Sequence, residues 1–178
     1  MEVPMRVIGL AVISIDGFLT RHDETGVSFA SAEDQEHFRS TMCSCGATVM
    51  GRRTFEAVRD RIASDRGGGI LRTVMTRDPA ARSDLHREGA LEFTSATPRE
   101  VVSSLERRGY SSLAVLGGSE VYRAFVAGNL VTEWQITVEP RLFGSGTPLI
   151  AGTVDQRLEL EESRLLNRDT ILLRYRVV

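Results

Sequence analysis

The sequence predicts a three-layer α/β fold, in which a mostly parallel central sheet is flanked by helices and ends in an antiparallel hairpin. Short apolar runs alternate with segments of helical period up to residue 128, which is typical of parallel strands joined by crossover helices. Beyond that point the chain changes to strands alone, and Asn167-Arg168-Asp169 supplies turn residues between the last two. With 178 residues, 42% of them hydrophobic, and no repeat or linker, the chain is expected to form a single domain over 1–178.

Each element follows from its local pattern. A capping-box pattern at Ser31 to Asp34 opens the first helix, and Thr97, Pro98 and Glu100 open the third. Glycine-rich composition predicts a flexible loop at residues 65–69. The predicted strands are residues 6–14, 47–50, 70–76, 90–95, 112–118, 133–140, 157–166 and 170–178, and the predicted helices are 32–43, 51–62, 98–108 and 119–128.

Charge and composition exclude several classes of function. The net charge is −2, with 22 basic and 24 acidic residues scattered along the chain, so neither nucleic acid nor an anionic membrane is expected as a partner. No run is long enough to span a bilayer and the amino terminus lacks a signal-peptide pattern, which favours a cytoplasmic protein. Cys43 and Cys45 are expected to be free thiols, and no cluster of histidines and cysteines indicates a metal site.

Two strand-to-helix joints carry glycine, one at Gly51 and one at Gly117-Gly118. A helix N-terminus offers unpaired N–H groups and a partial positive charge, and glycine lets a phosphate approach closely. We therefore expect phosphate at both joints, with an ordinary glycine turn as the alternative at each. Neither the G-x-G-x-x-G fingerprint nor the Walker sequence is present, so an ordinary Rossmann domain and a P-loop NTPase are not supported.

Basic residues beside the two joints indicate which dinucleotide would bind there. Arg52, Arg53 and Thr54 place two cations and a hydroxyl in one helical turn, which suits a phosphate diester plus an extra monoester. Arg77 follows a strand whose carboxyl end should face the ligand crevice of such a sheet. The extra monoester would be the 2′-phosphate of NADPH. A solvated helix face and a plain loop arginine are the alternatives.

Four motifs carry a resemblance to a known family. Residues 50–56, MGRRTFE, and 115–122, VLGGSEVY, resemble the paired cofactor segments of the dihydrofolate reductase superfamily. Residues 14–17, SIDG, and the Glu139-Pro140 to Gly146 segment are similar to the S-x-D-G and EP-x-x-x-G-x-G segments of the riboflavin-biosynthesis reductase domain. The resemblance spans nearly the whole chain and implies the dihydrofolate reductase-like form of the predicted fold.

This resemblance implies an NADPH-dependent reductase that transfers a hydride to a pyrimidine- or pterin-like heterocycle or to its ribosylamino derivative. It also implies a homodimer. Arg52, Arg53 and Thr54 would meet the adenosine phosphates, and Thr76 and Arg77 would flank the adenine ribose. The second joint would line the pyrophosphate and the nicotinamide side. The full set of implied cofactor residues is Gly51, Arg52, Arg53, Thr54, Thr76, Arg77, Leu116, Gly117, Gly118, Ser119, Val121 and Tyr122.

The sequence offers two candidates for an acid that takes part in the reaction. The resemblance places Asp34 where related reductases hold an acid against the substrate, but Asp34 is also the capping-box partner of Ser31, and we expect capping to be its main role. Asp16 is a second candidate, with a plain Asp-Gly turn as the alternative. His37, one turn after Asp34, is expected to be half exposed. Phe55 stands where many folate reductases have tryptophan, which disfavours folate; a non-catalytic NADP(H)-binding module is the competing function.

Overall fold

The computed structural model describes residues 4–64 and 69–178, so residues 65–68 of the predicted flexible loop lie outside the described part. Along the described chain the elements follow one another as β1 (Arg6–Ser14), α1 (Ala32–Cys45), β2 (Ala47–Gly51), α2 (Arg52–Ser64), β3 (Leu71–Met75), a 3₁₀ helix (Ala80–Leu85), β4 (Leu91–Thr94), α3 (Pro98–Arg107), β5 (Ser112–Val115), α4 (Ser119–Ala127), β6 (Glu133–Glu139), β7 (Leu158–Leu165) and β8 (Ile171–Val177).

The strands form one eight-stranded sheet in the order β4-β3-β2-β5-β1-β6-β8-β7. Strands β1 to β6 are parallel, and β8 is antiparallel to both β6 and β7. The predicted parallel sheet with an antiparallel hairpin is confirmed. Because parallel strands end at the same edge, Ser14, Gly51, Val115 and Glu139 are brought to one rim of the sheet.

Helices cover the sheet on both faces. On one face Val7 and Ala11 of β1 belong to the largest core cluster, together with Val101 of α3 and Phe125 of α4. On the other face Ile8 and Leu10 pack against Phe38 and Met42 of α1, and Phe55 and Ile62 of α2 pack against Met50 and Val74. The alternation of side chains along each strand supplies both faces, which accounts for the nearly continuous apolar runs.

Element ends differ from the predictions where backbone geometry sets them. Helix α1 continues to Cys45, because Gly46 adopts the left-handed conformation (φ 70°) and donates its N–H to the carbonyl of Met42. Strand β5 ends at Val115, three residues short of the predicted Gly118, because the glycines leave the sheet to form the joint with α4. The 3₁₀ helix was not predicted, and the capping box of α3 is confirmed at Thr97 and Glu100.

Three further predictions concern the cysteines, a membrane-spanning helix and a metal site. Cys43 is exposed, Cys45 is buried, and both are free. Among residues 4–64 and 69–178, no helix has the length and apolar character needed to cross a bilayer. Within the same ranges, no three His, Cys, Asp or Glu side chains are grouped to hold a metal ion.

Candidate active site

The two glycine joints meet at the rim of the sheet, and we call the surface that they share the crevice. The N–H of Gly51 donates to the carbonyl of Gly117 at 2.7 Å, which brings the first turns of α2 and α4 side by side. A Cβ on Gly51 would lie 3.0 Å from Val121, and one on Gly117, whose φ is 83°, would lie 2.7 Å from the ring of Tyr122. The peptide bond between Gly117 and Gly118 is cis. Gly117 therefore needs glycine for steric and conformational reasons, whereas a side chain at Gly51 would require Val121 to shift by a few tenths of an ångström.

Ser119 gives this crevice an unpaired donor. It is 5% exposed, and its hydroxyl has no hydrogen-bond partner among the described residues. The hydroxyl does not cap α4, because Gly118 is the N-cap residue and the helix has no side-chain cap. Buried hydroxyls normally find a partner, so this one is suited to an oxygen that is absent from the protein itself. A pyrophosphate at the start of α4 would supply such an oxygen.

Basic side chains line the outer end of the crevice. Arg52 and Arg53 are exposed on the first turn of α2, and Thr54 is half buried, with its hydroxyl 3.5 Å from the position of a Cβ on Gly118. The carboxylate of Glu56 lies 3.8 Å from Arg52 and accepts a hydrogen bond from Arg82 of the 3₁₀ helix at 3.1 Å. Sequence reasoning missed Arg82, because the turn that brings it here was not predicted.

The loop after β3 runs beside these arginines. Met75 is paired with Gly51 in the register of β2 and β3, so Thr76 and Arg77 follow directly at the same rim. Arg77 is exposed, and the hydroxyl of Thr76 accepts a weak hydrogen bond from the N–H of Asp78 at 3.4 Å. The predicted adenosine-side residues are thus brought together at one end of the crevice.

Asp34 lies buried in the first turn of α1. It is 2% exposed, and one of its carboxyl oxygens, Oδ1, has no partner among the described residues. Burial raises the pKa of Asp34 to about 6; a hydrogen bond with Thr137 of β6 opposes this rise, and the charge of Glu139 adds to it. A carboxyl with this pKa is partly protonated near neutral pH, as a general acid requires.

The start of α1 corrects part of the capping prediction. The hydroxyl of Ser31 accepts the N–H of Asp34 at 3.2 Å, so Ser31 is the N-cap, as predicted. The return bond expected from Asp34 is absent, however, and the N–H of Ser31 donates instead to Glu139 at 2.7 Å. Asp34 is therefore not a capping-box partner, because a carboxylate from β6 occupies that place.

Asp16, the second candidate, holds two loops together. Its carboxylate accepts hydrogen bonds from the hydroxyl of Ser14 at 2.6 Å, the N–H of Phe143 at 3.1 Å and the N–H of Gly144 at 2.7 Å. The bond from Ser14 and then that from Gly144 lower the pKa of Asp16, which keeps it ionised. Asp16 therefore joins the loop after β1 to the loop after β6, and a role for its carboxylate in the reaction stays a prediction.

The chain also matches a known protein family. The RibD C-terminal domain family matches residues 6–172. The chain belongs to the RibD C-terminal domain family. An uncharacterized protein of Bacillus subtilis strain 168, YwjB, is 24% identical to this RibD-type domain over 139 residues, which are 77% of this chain and 78% of that protein.

Solved structures confirm the fold of the RibD-type domain. A putative riboflavin biosynthesis protein from Shewanella sp. PV-4 matches with a TM-score of 0.74 at 20% identity, covering 98% of this chain and 99% of the other. A diaminohydroxyphosphoribosylaminopyrimidine deaminase/5-amino-6-(5-phosphoribosylamino)uracil reductase from Thermotoga maritima matches with a TM-score of 0.80 at 14% identity. That match covers 98% of this chain but 57% of the Thermotoga chain.

Tyr122 of the RibD-type domain lies in the core, contrary to its predicted place beside the cofactor. Its ring is 1% exposed and lies 5.3 Å from that of Trp134, and its hydroxyl donates to the carbonyl of Leu10 at 2.5 Å. Burial raises the pKa of Tyr122, so the hydroxyl remains a donor. The hydroxyl is already bonded to Leu10 and the ring packs beneath Gly117, so Tyr122 has no free polar group for a ligand. Leu116, the neighbouring candidate, is half buried between two core clusters.

His37 is half buried, as predicted, one turn beyond Asp34. Burial, followed by the charge of Arg164, lowers the pKa of His37, so its ring is neutral near pH 7. Its Nε2 atom is buried and unpaired among the described residues. The imidazole therefore contributes no fixed positive charge to the acid site.

Proposed function

We propose that this RibD-type domain is an NADPH-dependent reductase that transfers a hydride to a pyrimidine- or pterin-like heterocycle, or to its ribosylamino derivative. The observation that carries the proposal is the buried carboxyl of Asp34, with its unpaired oxygen and a pKa of about 6. A module that only binds a dinucleotide has no need of such an acid, whereas a reductase of a C=N bond does. The name of the Thermotoga protein includes a ribosylaminouracil reductase, and we propose an acceptor of that class here.

The cofactor half of the proposal is supported by the Ser119 hydroxyl, which has no partner among the described residues, and by the two helix N-termini beside it. NADPH, when bound, supplies the hydride. The helix N-termini at Gly51 and Gly118 and the unpaired hydroxyl of Ser119 would hold the pyrophosphate. Arg52, Arg53 and Arg77 would add the positive charge that an additional 2′-phosphate requires.

The acid half follows from the state of Asp34. As the acceptor carbon gains the hydride, the electron pair of its C=N bond moves to nitrogen, which takes a proton from the carboxyl of Asp34. Asp34 is left as a carboxylate and regains a proton from solvent. The neighbouring Thr137 hydroxyl would hold that carboxylate by a hydrogen bond.

The test measures NADPH oxidation with a panel of pyrimidine, pterin and flavin acceptors. We expect turnover with at least one pyrimidine or pterin acceptor, and a loss of about 100-fold or more in Asp34→Asn with NADPH affinity unchanged. Glu33→Gln is the matched control, because Glu33 is a neighbouring exposed carboxylate of the same helical turn. NADPH binding without turnover on any acceptor would instead indicate a sensing module, and full turnover in Asp34→Asn would remove Asp34 from the chemistry.

A further inference from the structure

Glu139, the last residue of β6, binds two parts of the site that are distant in sequence. It is 3% exposed, its Oε1 accepts the N–H of Ser31 at 2.7 Å, and its Oε2 accepts the hydroxyl of Thr170 at 2.7 Å. Ser31 opens α1, and Thr170 closes the turn between β7 and β8. One buried carboxylate therefore fixes the start of α1 against both β6 and the terminal hairpin.

Because Glu139 bonds the N–H of Ser31, the side chain of Asp34 takes no part in the cap of α1. In a capping box the residue at the position of Asp34 turns its side chain back to the N–H of the N-cap residue. Here Glu139 takes that N–H, so the carboxyl of Asp34 turns towards Thr137 and keeps one oxygen unpaired. The hydrogen bond to Glu139 thus completes the N-terminal cap of α1, so the carboxyl of Asp34 is available as an acid.

The charged and titratable surroundings of Asp34 come from three elements. From β6, the charge of Glu139 opposes ionisation of Asp34. From α4, Tyr122 is coupled to Asp34 but remains protonated. On α1 itself, His37 is neutral and faces Gln135 together with charges on β7 and β8, namely Glu162, Arg164 and Arg174.

We propose that Glu139 is a positioning residue that docks the first turn of α1 on the sheet and keeps the proton on Asp34, without itself touching substrate or cofactor. The catalytic part of this inference rests on the proposed reductase function. The structural part, which is the electrostatic coupling of two carboxyls across α1 and β6, does not.

The test follows the titration of the Asp34 carboxyl by carbon-13 NMR in the ligand-free protein, with Asp34→Asn used to assign the signal. Glu139→Gln removes the charge while keeping an oxygen for Ser31, and we expect it to lower the titration midpoint of Asp34 by about half a unit or more. Thr170→Val removes one hydrogen bond to Glu139 but keeps its charge, so it should leave the midpoint in place. An unchanged midpoint in Glu139→Gln, or an equal change in Thr170→Val, would overturn the proposal.

A second measurement covers the case in which Glu139→Gln does not fold. The N–H of Ser31 donates to the buried carboxylate of Glu139, so the Ser31 amide of the wild type should be protected from hydrogen exchange. Exchange of that amide at the rate of an unprotected one would also overturn the proposal. If the wild type is a reductase, Glu139→Gln should move the basic limb of its pH–turnover profile to lower pH by the same amount as the titration midpoint of Asp34. A wild type inactive on all acceptors would overturn the reductase function alone, because the NMR titrations need no cofactor.

Discussion

A buried carboxyl with an unpaired oxygen destabilises a folded protein at every pH at which it is ionised, and Asp34 is such a group. Its pKa rises from 3.8 to about 6 on folding, chiefly through burial. Between these values the folded state binds more protons than the unfolded state, so this residue's contribution to stability is complete below pH 3.8 and is lost as the pH rises through 6. Strain of this kind is characteristic of functional sites.

Asp34→Asn should therefore change the stability of the protein in a pH-dependent way. The free energy of unfolding of the variant, relative to wild type, should rise by on the order of 2 to 3 kcal/mol between about pH 4 and about pH 8, because the variant has no buried charge to accommodate. Urea denaturation at both pH values measures the difference. A stability difference that is the same at both would show that Asp34 is not strained by burial.

At the scale of elements, two helices with similar openings differ in how their first turns are satisfied. The N-terminus of α3 is capped by its own side chains, because Thr97 and Glu100 exchange hydrogen bonds in a capping box. Helix α4 begins after Gly118, and the hydroxyl of Ser119 has no partner in the described part of the chain. Side chains that cap a helix satisfy its first N–H groups. A helix N-terminus that binds an anion instead leaves those N–H groups to the ligand.

Ser119→Ala and Thr97→Ala form a matched pair that tests this difference. Ser119→Ala should leave the free energy of unfolding nearly unchanged and weaken NADPH roughly tenfold, because it removes a donor used only in the complex. Thr97→Ala should lower the free energy of unfolding by about 1 kcal/mol with unchanged NADPH affinity. Urea denaturation and calorimetric titration give both quantities. Unaltered NADPH affinity in Ser119→Ala would show that the hydroxyl does not meet the cofactor.

The loop after β1 and the loop after β6 are held together at the rim of the sheet. Asp16 joins the loop after β1 to Phe143 and Gly144, and the N–H of Leu19 donates to the carbonyl of Thr147 at 2.7 Å. The approach is close at Gly146, where the backbone of Thr20 leaves no space for a Cβ. The two resembling motifs, S-x-D-G and the late glycine loop, are therefore a single structural unit.

For the whole molecule, periodicity predicts the order and type of the strands and α-helices because most parallel strands are buried on both faces and the α-helices carry apolar stripes. The proposed cofactor half of the site follows from local motifs, since glycine joints and adjacent arginines lie within a few residues of each other. The contacts around Asp34 and Asp16 do not follow from local motifs, because Ser31 meets Glu139 from 108 positions away and Asp16 meets Gly144 from 128. Tyr122 was misplaced for the same reason: its partner is the carbonyl of Leu10, 112 positions away.

The central claim is that the crevice between α2 and α4 binds NADPH, and calorimetric titration of NADPH and NADH into wild type and an Arg52→Gln/Arg77→Gln variant tests it most directly. We predict that wild type prefers NADPH and that the variant loses about tenfold or more in NADPH affinity relative to NADH, because only NADPH carries the 2′-phosphate. Arg107→Gln, on the last turn of α3, is the control and should change neither affinity. Equal losses for both dinucleotides, or no binding of NADPH to wild type at millimolar concentration, would contradict the account.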